Sequence, residues 1–436
     1  MLALQFQLEQ TQWWPAEKLL DCQFRQLEQL VRHAFAHVPF YERTYRDLGF
    51  DPTGDDLRRF FTKLPIVSRS QLQEAGQDIR SRSMPQKHGQ VTQAQTSGST
   101  GSPITICRTG FSGFMWNVLT LRDHLWHRRD LAGRHAAIRV SGKPGDPAGQ
   151  SSAMWGRATD LVYKTGTGSL LHVSVDLEQQ LQWLAECNPN YLLSYPTNLR
   201  ELALILEHKG RQLPELRQLR TFGEMLPDDV RQTCRGGFGV PVVDMYSAEE
   251  VGYMALQCPE NENYHMLSEA VYMEVLDDAG NACAPGETGR VVVTALHNFA
   301  GPLIRYEIMD FAEVGAACPC GRGLPVLKRI VGRSRNLIRL PDGSRHWPSF
   351  PTELWAGVAP IRQIQIVQRD TSRIEVCLVA DRPLADGERA ELARRLNERL
   401  GHPFEFDVNE VERIERSAGG KYEDFIGLGN GETSNG

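Results

Sequence analysis

A chain of 436 residues with 41% apolar and 23% charged side chains is long enough for two or three domains and has the composition of a soluble globular protein. Its net charge of −6 argues against a nucleic-acid partner, and no apolar run approaches the ~18–20 residues that would cross a bilayer. The first residues lack the basic and apolar regions of a secretory leader, and nine scattered cysteines suit a reducing compartment; a cytoplasmic protein without membrane or nucleic-acid partner is expected.

The first predicted element is a long helix after Pro15, a residue suited to an opening helical turn. Leu19, Leu20, Phe24, Leu27, Val31, Ala34 and Phe35 keep the spacing of one apolar face. The stretch 96–103, TSGSTGSP, then packs five hydroxyls and two glycines ahead of the strand-like 104–106, and a helix is predicted over 112–129. Strands at 135–140, 191–195, 219–223 and 241–246 alternate with helices near 176–187 and 197–208, a pattern of α/β layering; 146–152 reads as a loop. Beyond 265 the texture turns antiparallel, with strands at 270–277 and 289–296 and a turn at 278–281. A hairpin around Asp342-Gly343 opens a compact α+β unit of strand 361–369, strand 373–380, helix 386–400 and strand 404–411. The expected fold class is therefore α/β: a large domain of layered sheets and helices over 1–334, and a small α+β domain over 335–436 ending in a frayed tail from 427.

Chemistry concentrates in a few of these stretches. Glycines let a backbone approach an anion, and N–H groups and hydroxyls donate to phosphate oxygens, so 96–103 reads as an exposed turn or as a polyphosphate cradle. It is not a Walker loop, because no lysine follows Gly101. Tyr246-Ser247-Ala248-Glu249-Glu250 joins an aromatic ring to two carboxylates after a predicted strand, and 302–310 places Asp310 at a strand end. Gly332 to Asn336 marks the domain junction, and Gly419-Gly420-Lys421 sits on a flexible tether near the C-terminus. Cys258, His265, Cys318 and Cys320 form a C-x6-H and C-x-C set that suits a tetrahedral structural zinc, the alternative being buried thiols and an ordinary polar histidine.

Taken in this order, with Phe222-Gly223-Glu224 and the run Cys318 to Arg322, the chain resembles the adenylate-forming (ANL) superfamily, and within it the phenylacetate–CoA ligase-like branch. The resemblance covers nearly the whole chain and implies a large adenylate-forming domain with a small mobile C-terminal domain. It implies that a carboxylic acid and ATP give an acyl-adenylate and pyrophosphate, with transfer to a thiol, most often coenzyme A. On that reading Thr96, Ser97, Gly98, Ser99, Thr100 and Gly101 hold the phosphates, and Tyr246 stacks on adenine beside Ser247, Gly223 and Glu224. Glu250 binds Mg2+, Asp310 grips the ribose, Arg333 reaches ribose or phosphate, and Lys421 bridges carboxylate and α-phosphate.

Four positions depart from the family pattern: Ser247 and Met309 where relatives carry Gly, Glu249 in place of Thr or Ser, and Arg335 where relatives carry the hinge Asp. Tyr195 and Trp155, with Trp116 and Met154 nearby, are candidates for an acyl pocket suited to an aromatic or arylacetic acid. Expected partners are that acid, ATP, and coenzyme A or another acyl acceptor (an amine or a carrier-protein thiol), with a homodimer as the macromolecular association considered. The departures keep a non-catalytic nucleotide-binding relative open as the competing reading.

Overall fold

The apolar stripe after Pro15 forms the helix Ala16–His37, which begins where proline's missing N–H leaves no bond unmade. Leu19, Phe24, Leu27, Val31 and Ala34 are buried along it, and Phe35 packs at the margin of the core. Leu20 does not belong to that face: it is 37% exposed, one position off the buried stripe. A further helix, Leu2–Thr11, precedes it; it buries Leu8 with the polar Gln5 and Thr11 while Leu2 and Phe6 face outward, so its sequence carries no apolar stripe. This computed structural model describes residues 1–52, 54, 56–95, 104–140, 143–348, 350–351, 354–417 and 419–428. The hydroxyl-rich stretch from Thr96 to Gly101 lies outside them. Among the described residues no helix is long and apolar enough to cross a membrane.

By contact the chain divides into two compact units: Met1–Ser194, Leu213–Gly223 and Pro241–Ile330 in one, Tyr195–Gln212, Glu224–Val240 and Val331–Gly436 in the other. The first holds a twelve-stranded sheet with two textures. Val242–Ala248, Gln218–Thr221, Tyr191–Ser194, His135–Arg139 and Gly168–His172 pair in parallel, which requires the long crossovers that the alternating pattern predicts. From Gly252–Gln257 through Tyr264–Met266 to Val271–Leu276 and Thr288–Ala295 the pairing is antiparallel. Gln150–Ser152, expected as a loop, is instead an antiparallel edge strand on Gly168–His172; all three residues are exposed, so no apolar alternation signals it.

In the second unit the helices Pro196–Lys209 and Asp228–Phe238 lie so close that a Cβ on Gly237 would stand 2.4 Å from the Ala203 carbonyl oxygen. Its four-stranded sheet runs Glu405–Glu410, Arg373–Ala380, Ile361–Gln368, Phe425–Ile426. Ile364, Ile366, Ile374, Val376 and Leu378 bury one face of it under Leu392, Leu396 and Leu400 of the helix Asp386–Leu400. The two-residue strand Phe425–Ile426, too short to read from sequence, corrects the expected tether: Lys421 lies between two strands of one sheet.

The first unit also buries an ionic cluster. Asp123 is fully buried, with Arg129 Nη1 at 2.7 Å and Arg220 Nη2 at 2.6 Å from its Oδ2 and His127 Nε2 at 3.7 Å from Oδ1. Burial, reinforced by both arginines and opposed by Asp123, pushes His127 down to about 4. A histidine whose folded pKa lies below its unfolded value stabilises the protein above pH ~6.5 and loses that contribution as pH falls toward 4. Lowering the pH from 7.5 to 5 should therefore cost about 2 kcal/mol through His127 alone. Urea unfolding at both pH values checks this: His127→Gln should lose less stability on acidification than the parent, and equal losses would contradict it.

Candidate active site

Tyr246 lies in the strand Val242–Ala248 and is mostly buried, and its hydroxyl donates to Asp310 Oδ2 at 2.7 Å. Asp310 is not at a strand end as expected but in the middle of Tyr306–Val314. A bulge aims it. Glu307 faces Val292 and Phe311 faces Arg290, so three residues oppose the single Val291. Met309 absorbs the excess at φ +69, the left-handed conformation that glycine adopts without strain. The departure at Met309 is thus a side chain on the backbone conformation that suits glycine, and the bulge is formed regardless.

Glu250 Oε1 lies 3.7 Å from Arg69 Nη1, the first residue of the helix Arg69–Ala75. A capping box between Ser68 and Gln71 fixes that helix start. Glu250, Tyr306, Arg80, Ile104, Ile106 and Leu303 line a cleft enclosing about 370 Å³ of space open to solvent. The neighbouring Glu249, whose charge the resemblance leaves unexplained, forms an ion pair at 2.8 Å with Arg108 of the strand Thr105–Thr109. Ser247 faces Tyr253 across the hairpin, and Trp116 packs on that Tyr253 ring at 5.0 Å.

Gly223 takes φ +79. In the second unit Glu224 has both oxygens engaged: Oε2 accepts from Thr197 N and Oγ1 at 3.1 and 2.8 Å, and Oε1 from Tyr422 N at 2.6 Å. Burial raises the Glu224 pKa, opposed by Arg416 and these donors. Lys421 and Ser417 exchange bonds, Ser417 N to the Lys421 carbonyl at 2.9 Å and Lys421 N to Ser417 Oγ at 3.2 Å. The Arg333 carbonyl accepts from Trp347 Nε1 at 3.1 Å, and Arg335, in the hinge position, pairs with Glu423.

Of the acyl-pocket candidates, Tyr195 donates its hydroxyl to the Gly419 carbonyl at 2.9 Å. Trp155 donates Nε1 to the Gly133 carbonyl at 2.8 Å and packs among His124, His135 and Tyr191. Met154 is 47% exposed.

Away from these groups, Cys258, His265, Cys318 and Cys320 converge with all four ligand atoms within 4.8 Å of one another. Cys258 and Cys318 Sγ lie 3.8 Å apart, and Cys320 Sγ lies 3.3 Å from His265 Nε2. A tetrahedral centre with metal–sulfur bonds of ~2.3 Å and metal–nitrogen bonds of ~2.0–2.1 Å spaces sulfurs by about 3.8 Å and sulfur from nitrogen by about 3.6 Å, so the donor set fits one. Burial opposes ionisation of Cys318, yet the bond from Asn261 Nδ2 at 3.1 Å and the neighbouring Cys320 donors hold its thiol below the ordinary value.

Residues 350–426 match the family described as the CapK C-terminal domain. The whole chain is similar to the phenylacetate–coenzyme A ligase of Pseudomonas putida, 24% identical over 426 residues that cover 92% of this chain and 93% of that protein. It is equally similar to the Thermus thermophilus phenylacetate–coenzyme A ligase, 24% identical over 95% of this chain and 97% of the other. Among solved structures, 2-hydroxyisobutyryl-CoA ligase in the postadenylation state matches with a TM-score of 0.73 at 19% identity, over 96% of this chain and 92% of that one. Its fold is that of the adenylate-forming CoA ligases.

In this ligase fold, sequence reasoning reaches the carboxylates and misses the arginines that meet them. Arg69 opens a short helix and carries only its capping box as a signal, while Arg108 and Arg416 sit in stretches with no motif. The Tyr246–Asp310 pair is the contact to test. Tyr246→Phe removes a donor from a buried carboxylate and should destabilise the protein by about 1–3 kcal/mol in urea unfolding. Unchanged stability would mean that the hydroxyl does not hold Asp310.

Proposed function

We infer that this chain is an ATP-dependent, AMP-forming acid–thiol ligase that converts a carboxylic acid to its acyl-adenylate and passes the acyl group to coenzyme A. The observation that carries this reading is the likeness to two phenylacetate–coenzyme A ligases along nearly the whole chain. The acid would be aromatic or arylacetic, with Tyr195 and Trp155 at its pocket. In the first step a carboxylate oxygen attacks the α-phosphorus of ATP, the bond to the bridging oxygen breaks, and pyrophosphate leaves. Two anions must meet, so positioning and local positive charge set the rate.

The hydroxyls and N–H groups from Thr96 to Gly101 would hold the β- and γ-phosphates. Tyr246 would stack on adenine beside Gly223, Glu224 and Ser247, and Asp310, oriented by the Tyr246 hydroxyl, would accept the ribose hydroxyls. Arg333 would reach ribose or phosphate. Glu250 would hold the magnesium ion, which neutralises phosphate charge when bound. Lys421, carried by the small domain over 335–436 acting as a lid, would place its ammonium between the carboxylate and the α-phosphate. In the second step the coenzyme A sulfur attacks the acyl carbonyl and AMP departs. Cys258, His265, Cys318 and Cys320 would hold a structural zinc ion that ties their loops together.

Screening aromatic and aliphatic acids for acid-dependent pyrophosphate release tests the first step, and coenzyme A-dependent loss of the adenylate tests the second. Lys421→Ala should abolish pyrophosphate release while leaving ATP binding largely intact; release at the parent rate would refute its role. Metal analysis should find about one zinc per chain. Cys318→Ser with Cys320→Ser should remove it and lower the melting temperature, and a parent protein purified without zinc would end that assignment.

A further inference from the structure

The segment around Lys421 is gripped from several sides by groups on other elements. Arg200, on the helix Pro196–Lys209, is 4% exposed and donates to both oxygens of Asp424 at 2.9 and 3.1 Å. Glu224 accepts from the Tyr422 N–H at 2.6 Å, and Arg416 Nη1 stands 3.4 Å from the same oxygen while donating to Thr197 Oγ1 at 3.0 Å. The Tyr195 hydroxyl holds the Gly419 carbonyl. Tyr422 is secured at its far end too, where its hydroxyl donates to the Ile364 carbonyl at 2.6 Å. The backbone is thus held two residues before Lys421 and one after it, and the next side chain but two closes a bidentate ion pair. Breaking that pair strands a buried guanidinium, which makes the grip strong and specific to one geometry.

We propose that Arg200 is a positioning residue for Lys421: through its bidentate pair with Asp424 it clamps the segment 419–424 so that the ammonium is presented at one point during adenylation. The proposal rests on the ligase reading, because Lys421 serves the first half-reaction and has no part in thioester formation from a preformed adenylate. Loosening the clamp therefore slows one half-reaction selectively.

Asp424→Asn keeps the shape of the Arg200 partner and removes its charge, and Arg200→Lys keeps the charge and removes the bidentate fork. In full-length protein each should lower acid-dependent pyrophosphate formation about tenfold or more, equivalent to roughly 1.4 kcal/mol of barrier, with the KM for ATP unchanged. Thioester formation from supplied acyl-adenylate and coenzyme A should stay within about twofold of the parent. Equal losses in both half-reactions, or no loss in the first, would overturn the proposal. Hydrogen exchange supplies a readout independent of turnover: amides of 419–424 should exchange about tenfold faster in either variant while the rest of the chain is unchanged. Unaltered exchange would refute the clamp. A parent protein silent toward every acid would instead remove the ligase reading, and with it the role for Lys421, while exchange would still report whether the grip exists.

Discussion

A carboxylate taken out of water must be met by donors or cations, and that requirement organises this molecule. Asp310 takes the Tyr246 hydroxyl, Glu224 takes a backbone N–H and a threonine, Asp424 takes both arms of Arg200, and Asp123 takes two buried arginines. Arg305, itself in a left-handed conformation at φ +50, meets Glu274 through two 3.0 Å bonds. Apart from Asp123 with Arg129, which are near neighbours in sequence, each pair joins segments that only the fold brings together, so each fixes local geometry as well as charge. The groups proposed to handle ATP and acid are built on these same pairs.

The departures from the family pattern are informative in this light. Glu249 would be an anomaly beside phosphate, but Arg108 stands 2.8 Å away and balances it. Met309 holds the positive φ at which relatives carry glycine, and the bulge it completes turns Asp310 toward Tyr246. Arg335, in the place of the hinge acid, has Glu423 as its counter-charge, two residues from Lys421. The two charged substitutions each have a counter-charge, which weighs against a decayed, non-catalytic relative.

The two textures of the large sheet meet at the strand that carries Tyr246. The sheet's parallel half needs helical crossovers, and its antiparallel half does not. Val242–Ala248 is the seam, parallel to Gln218–Thr221 on one side and antiparallel to Gly252–Gln257 on the other. Tyr246 lies on that seam, paired with Ala255 on the antiparallel side and bonded through its hydroxyl to Asp310.

Local chemistry written in the chain determined much of this protein. The 3.6-residue spacing of 16–37 and 386–400, the apolar strands between 135 and 246, and the order of the motifs from 96 to 421 all follow from neighbouring residues and short-range periodicity. The Cys258, His265, Cys318 and Cys320 set was legible as well, because soft ligands in a tight turn have few other uses. Tertiary structure alone decided that Asp310 sits mid-strand on a bulge, that Glu249 has Arg108, and that Arg200 reaches Asp424 across 224 positions. Polar partners so distant are selected by strand order, register and the need to satisfy buried charge, and none of these leaves a periodic trace in sequence. The helix Leu2–Thr11 and the edge strand Gln150–Ser152 impose no apolar pattern: the first buries Gln5 and Thr11 beside Leu8 while Leu2 and Phe6 are exposed, and the second is exposed throughout.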